Sequence, residues 1–392
     1  MDASANIPLV KELMHRFAES TGLEPAVDVP RRYLWTDAFA VCNFLGLYEQ
    51  TGDEIYKSLA LRLVDQVHRV LGRHRSDDPR TGWISGLDDE EGEFHPTLGG
   101  LRIGKKLNER KPNGPYDEAL EWDQDGQYFH YLTKWMHALH CTYRATGEGD
   151  FRQWAVELAK TAYDRFTYVS APKGEIRMYW KMSIDLSYPL VPSMGHHDPL
   201  DGFITFHEVQ AGVDETVTPP LDLNLDAEIE GMAALCEGRK WSTDDPLGLG
   251  GLLCDALRLA QLVVHGGVKG EALLEAVLKD ARFGLEYFAR NSTLDATADY
   301  RLAFRELGLS IGCHALERIE DVIDRHPERF THKYELGSIV HELRKFEPLC
   351  DVIETFWRDP RSRKAETWKD HLDINTVMLA TSLAPSGYLT MF

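Results

Sequence analysis

The apolar and polar positions follow a helical period over most of the chain, and they do so in two styles. Over residues 37–50, Ala38, Phe39, Val41, Cys42, Phe44, Leu45, Leu47 and Tyr48 cover nearly the whole circumference, which predicts a helix enclosed on all sides. Over residues 53–73, Ile55, Leu59, Leu63, Val67 and Val70 recur at spacings of four or three, while Lys57, Arg62, Gln66 and Arg69 mark a wet face. That pattern predicts a one-sided surface helix. A second pair repeats the contrast: Tyr128, Phe129, Leu132, Trp135, Met136, Leu139 and Tyr143 are densely placed, and Trp154, Leu158 and Ala162 form a stripe.

Both pairs share a joint. Residues 47–67 and 142–163 each carry Tyr-x-x-Thr-Gly-acid ahead of an amphipathic stretch. Gly52 and Gly147 suit the left-handed turn that closes a helix, and the acid after each is placed to cap the next one. The unit is therefore a hairpin, buried helix then surface helix. Further helices are predicted over 8–19, 227–237, 247–265, 271–290, 300–323, 334–345, 348–358 and 374–383. About a dozen helices that alternate in this way solve their burial problem by closing into a ring. The expected fold is all-α, an (α/α)6 barrel filling 1–392 as a single domain, with an open solenoid of helix pairs as the alternative. Two long segments, 76–123 and 170–224, interrupt the helices and are expected over the barrel mouth. Within the second, 175–182 and 202–210 read as short strands.

Composition narrows the partners. Lys and Arg number 43 against 63 Asp and Glu, a formal net charge of −20. Such a field repels phosphate backbones and anionic lipid, so neither nucleic acid nor membrane is expected as a partner. No run of residues reads as a spanning segment, and the opening MDASANIPLVKELMHRF lacks a basic stretch followed by an apolar one, so a cytoplasmic location is expected. The cysteines at 42, 141, 236, 254, 313 and 350 are far apart in sequence and sit mostly in apolar helical runs. Neighbours among them build neither a zinc knuckle nor a redox pair, and buried reduced thiols are expected, with no metal and no cofactor. Oligomeric state is left open by the sequence.

The hairpin joint, together with the aromatic-acid pairs Trp35-Thr36-Asp37 and Trp122-Asp123 and the chain length, resembles the six-hairpin glycosidase-like proteins. That superfamily includes unsaturated glucuronyl hydrolases and, more distantly, N-acylglucosamine 2-epimerases. The resemblance implies a small-molecule carbohydrate substrate, bound in a funnel at the N-terminal ends of the inner helices with the long loops as walls.

Acidic and aromatic residues do gather at predicted helix starts: Trp35 with Asp37, Trp122 with Asp123 and Asp125, Asp226 with Glu228, Asp299, and His371 with Asp373. Sugar rings stack on indoles and hydroxyls bond to carboxylates, but the same acids would also serve as simple helix caps. A glycoside hydrolase would use two carboxylates, roughly 5 to 9.5 Å apart depending on its stereochemical course. Asp123 is the expected base, Asp37 its partner and Glu228 a substitute. The densest polar cluster, MGHHDPLDGFITFHE over 194–208, holds His196, His197, Asp198, Asp201, His207 and Glu208 in an expected loop. Three readings of it stay open: a two-histidine-one-carboxylate metal site, a histidine acid/base for sugar epimerisation or isomerisation, or a structural loop. His196 or His197 would then work with His314. Arg305 with Glu306, and Arg32 before Trp35, are either clamps for a substrate carboxylate or structural ion pairs. Trp122, Asp125, Asp201 and Glu208 complete the expected substrate-binding set. The GxxxxGK match at 99–105 lacks the Ser or Thr a P-loop needs, and GxSxG at 308–312 falls in a helix, where its glycines predict a close helix crossing. A glycoside hydrolase is the leading expectation. A sugar epimerase or isomerase and a non-enzymatic helical scaffold for a protein partner are the alternatives.

Overall fold

The computed structural model describes residues 3–171, 174–211, 223–266 and 268–392; parts of the second expected insertion, 172–173 and 212–222, lie outside the described residues. In chain order the helices are α1 (Ile7–Thr21), α2 (Leu34–Thr51), α3 (Glu54–Leu71), the short α4 (Asp89–Phe94) and α5 (Glu118–Asp123), α6 (Phe129–Thr146), α7 (Gly149–Phe166), α8 (Asp198–Ala211) and α9 (Asp226–Cys236). They continue as α10 (Pro246–Val264), α11 (Glu271–Asn291), α12 (Ala303–Arg325), α13 (Lys333–Arg344), α14 (Pro348–Arg358), α15 (Glu366–Lys369), α16 (Leu372–Leu383) and α17 (Ser386–Leu389). The strands are few and short: β1 (Gln127–Tyr128), β2 (Thr167–Ser170), β3 (Glu175–Met178), β4 (Lys181–Met182) and β5 (Pro189–Val191). The all-α class holds. Two compact units emerge, one comprising residues up to Ser20, Gly46–Asp53 and Gly238–Phe392, the other Thr21–Leu45 and Glu54–Glu237. They are called here the C-terminal and the N-terminal unit.

The repeated joint has a physical basis in its threonine. Thr51 Oγ1 donates to Leu47 O (2.7 Å) and Thr146 Oγ1 to Thr142 O (2.8 Å), and each hydroxyl then accepts from a backbone N–H two residues on, Asp53 N and Glu148 N. Gly52 and Gly147 follow at φ +68° and +75°, their N–H groups closing onto Tyr48 O and Tyr143 O. The acid was expected to cap the next helix, but Glu148 makes no side-chain cap bond; its own N–H is taken by Thr146 Oγ1. In the N-terminal unit α6 and α7 pack as the predicted hairpin, α8 packs on α6, and α9 on α8. β1, β4 and β5 form a small antiparallel sheet, and β2 and β3 a separate hairpin.

Three expectations are corrected. Residues 202–210 are helical, part of α8, and most of the expected loop 194–208 is helix as well. Its Phe, Ile and Val content suggested strand, yet Leu200, Ile204, Phe206 and Val209 are all buried, so an enclosed helix overrides local propensity. Asp123 does not open a long helix; it ends the six-residue α5, and the inner helix begins at Phe129 after the Gly126 turn. Thirdly, α10 is long and apolar enough to cross a membrane by length and composition, with a mean hydropathy of 1.6. It lies along α12 in the C-terminal unit, and 72% of that stretch is buried. There the predicted glycine crossing is real: a Cβ on Gly250 would come within 1.9 Å of Gly308 O, and one on Gly312 within 2.5 Å of Gly250 Cα.

Candidate active site

The starts of α2, α6 and α8 meet in the N-terminal unit around aromatic rings. The Trp35 ring centre lies 5.3 Å from that of Tyr131 and 6.0 Å from that of His130. Tyr33 and Tyr131 join their hydroxyls at 2.7 Å. Trp180, between β3 and β4, lies nearly parallel to His130 at 6.4 Å and packs on Tyr128 at 5.2 Å. Exposed Trp122 meets Trp180 edge-on at 5.7 Å, which makes it the rim of the same cluster. Lys105 places its ammonium 5.3 Å from the Tyr33 ring centre.

Among the described residues, three buried polar atoms at this cluster have no hydrogen-bond partner: Trp35 Nε1, His130 Nδ1 and Asp198 Oδ2. His130 Nδ1 stands 3.5 Å from Asp198 Oδ1, within reach of charge attraction but too long for a good hydrogen bond. Each orphaned group costs about 1–3 kcal/mol unless water or a ligand supplies the missing bond. Asp198 can sit so deep because Gly195 has no side chain: a Cβ there would lie 2.3 Å from Asp198 Oδ2.

Hydrogen bonds and ion pairs of the surrounding polar groups tie these helices and loops together. Asp201 accepts from Thr133 Oγ1 (2.5 Å) and Lys134 Nζ (2.7 Å), tying α8 to α6, and Glu208 binds His137 Nδ1 at 2.7 Å further along the same pair. Asp37 accepts from Tyr33 N at 2.9 Å and pairs with Arg32 at 3.4 Å, which fixes the start of α2. Asp125, fully buried, takes Arg102 at 2.9 Å, Arg75 at 3.2 Å and the N–H groups of Gly104 and Gly126. Burial pushes the Tyr33, Tyr128 and Tyr131 phenols up, so they stay protonated donors, and burial, helped by Lys181, lowers the Lys105 ammonium against the pull of Asp123 and Asp125.

The structure thus brings Trp35 and Trp122 to one cluster, with Asp37, Arg32, Asp125, Asp201 and Glu208 as its supports. Asp123 is exposed beside Trp122. Glu228, in the first turn of α9, pairs with Lys160 of α7 at 3.4 Å. His196 and His197 have ring centres 4.7 Å apart ahead of α8, His196 exposed and His197 half-buried. His314 belongs to the C-terminal unit, where its Nε2 meets Glu354 Oε1 at 2.7 Å. The Arg305–Glu306 clamp does not form, because adjacent residues on a helix point apart. Arg305 pairs with Asp245, and Glu306 takes Arg301 and Trp357 Nε1. Sequence reasoning missed His130, Tyr131, Tyr33, Trp180 and Lys105. The available signal was the run Tyr128-Phe129-His130-Tyr131 at an inner helix start, which reads as apolar filling.

No protein-family model matches the sequence, and no curated protein matches it. Among solved structures, the chain is similar to a cellobiose 2-epimerase from Bacillus thermoamylovorans, at 10% identity and TM-score 0.45 over 83% of this chain and 76% of that one. It is similar to an inactive variant of an α-1,6-mannanase of Salegentibacter in complex with α-1,6-mannotriose, at 12% identity and TM-score 0.45 over 87% and 99%. A D-mannose isomerase is similar at 12% identity and TM-score 0.43 over 87% and 84%.

Proposed function

We propose that the chain is a carbohydrate-active enzyme whose sugar lies across the aromatic mouth of the N-terminal unit, with His130 beside Asp198 as the proton-transferring pair. The observation that carries this reading is the set of three partnerless buried polar atoms among aromatic rings. A sugar presents C–H faces to Trp35 and Trp180 and hydroxyls to Trp35 Nε1 and Asp198 Oδ2, so one ligand class satisfies both halves of the site. Imidazole as a group exchanges protons near neutrality, which suits epimerisation or isomerisation of an open-chain sugar. In that reaction the base takes the proton from the carbon beside the carbonyl, an enediolate forms, and the proton returns to the other face or to the neighbouring carbon. Hydrolysis is the second reading, favoured by exposed Asp123 at the Trp122 rim, with Asp198 as the other carboxylate.

The test is incubation of the purified chain in D2O with reducing aldoses, with β-1,4- and α-1,6-linked disaccharides and with oligosaccharides. Epimerisation puts deuterium at C2 of a new aldose and isomerisation puts it at C1 of a new ketose, in neither case with new reducing ends; hydrolysis raises reducing ends without it. Neither product from any of these sugars, with no sugar-induced quenching of tryptophan fluorescence, would remove the carbohydrate reading.

A further inference from the structure

Two helical turns below the mouth, the same three helices bring soft ligand atoms together. Cys42 of α2 and His137 and Cys141 of α6 each offer one ligand atom within 4.8 Å of the others, and Cys141 Sγ stands 3.7 Å from His137 Nε2. Ligands on a tetrahedral zinc, with Zn–S near 2.3 Å and Zn–N near 2.0–2.1 Å, lie roughly 3.6 Å apart. His137 and Cys141 are four residues apart and so share one face of α6. Glu208 of α8 binds His137 Nδ1 at 2.7 Å and so turns Nε2 toward the thiols, the carboxylate–histidine arrangement that orients metal-bound imidazoles. All four residues are buried, with Cys42 and Glu208 at 0% exposure, His137 at 1% and Cys141 at 4%.

We propose that Cys42, His137 and Cys141 bind one Zn2+ in the core of the N-terminal unit, with Glu208 as the positioning residue behind His137. Charge selects the divalent ion. Two thiolates and a carboxylate bring three negative charges into a dry interior; Zn2+ leaves one uncompensated, whereas Cu+ leaves two. Binding releases both thiol protons to solvent, plus the Nε2 proton where the imidazole is charged. The spacing along each helix gives the ion its purpose. Trp35 precedes Cys42, His130 precedes His137 and Asp201 precedes Glu208 by the same seven residues, about 10 Å of helix. An ion at the lower positions therefore pins α2 to α6 directly beneath the residues that form the mouth. This inference does not depend on what the mouth binds.

The full chain, expressed with zinc, reduced and purified without chelator, is expected to carry one zinc per chain by elemental analysis. Replacing the metal with Co2+ should give thiolate-to-cobalt charge-transfer absorption. Cys42→Ser and Cys141→Ser should each lower zinc content at least tenfold, Glu208→Gln should weaken affinity about 10–100-fold without abolishing it, and Cys236→Ser should change nothing. Any one of three results overturns the proposal: substoichiometric zinc in the wild-type chain with no cobalt–thiolate band, full zinc retained in both serine variants, or a Cys42–Cys141 disulfide in the unreduced peptide map. The cobalt spectrum is read on the wild-type chain, so poor folding of a variant does not remove the test.

Discussion

The buried polar groups of the two units use the same residue types to opposite ends. In the C-terminal unit Glu306 accepts from Arg301 Nε at 2.9 Å, Arg301 Nη2 at 2.7 Å and Trp357 Nε1 at 2.8 Å, while Arg301 also donates to Leu294 O. Glu354 likewise receives Ser310, His314 and Ser382. There, tryptophan, histidine and carboxylate are closed on one another. At the mouth of the N-terminal unit the same trio, Trp35, His130 and Asp198, keeps one atom each without a partner among the described residues. A closed network stabilises its own fold, and an open one leaves donors and acceptors available to an incoming group. Residue type alone does not separate the two.

The comparison is broken most severely by changes that should cost activity at one place and stability at the other. His130→Gln is expected to lower turnover by about 10²–10⁴-fold, the usual share of a general acid or base, while leaving the urea midpoint nearly unchanged. Retention of half the wild-type rate would remove His130 from the chemistry. In the closed network, Glu306→Ala strands a fully buried arginine and should cost about 3–5 kcal/mol by urea unfolding. A loss below about 1 kcal/mol would mean that Arg301 finds water or another acceptor.

A buried histidine of the N-terminal unit outside the mouth sharpens the contrast through pH. His68 accepts from Trp135 Nε1 at 3.1 Å, and burial lowers its pKa from 6.5 to about 3. It is thus neutral in the folded chain while the unfolded chain takes up a proton below 6.5. Its contribution is present above pH 6.5 and is lost as pH falls towards 3, at about 1.4 kcal/mol per pH unit. His68→Gln should flatten the acid limb of the stability profile by one proton; an unchanged slope would show that His68 titrates normally. The smallest effect is expected of Trp35→Phe, which keeps a ring but removes the orphaned N–H. Stability should hold or rise slightly, and KM should rise about five- to tenfold, from the loss of roughly 1 kcal/mol of substrate hydrogen bonding. A drop in stability with KM unchanged would place Trp35 among the closed structural groups instead.

The helices were readable because their signals are local. The Tyr-x-x-Thr-Gly joint works through contacts of four residues or fewer, and the enclosed or one-sided character of 37–50, 53–73 and 128–143 is carried by each stretch alone. The site was readable only in part. Trp35 and Trp122 stood out as aromatic-acid pairs, and both reach the cluster. Their acids have local commitments that the sequence did not show: Asp37 is held by Arg32 and the Tyr33 N–H, and Asp123 ends a short helix. His130 was hidden because a histidine among Tyr128, Phe129 and Tyr131 looks like core.

The sequence by itself determined the helical class, the hairpin joints and a close crossing at Gly308 and Gly312, since periodicity, a left-handed turn and the lack of a side chain act at the residue that carries them. The tertiary structure alone decided which buried polar groups close on each other and which remain open. It also decided that Cys42, remote in sequence from His137 and Cys141, shares a site with them. Those outcomes depend on distances between separate helices, and a hydrogen bond or a metal site exists only once packing has fixed those distances to within a fraction of an ångström.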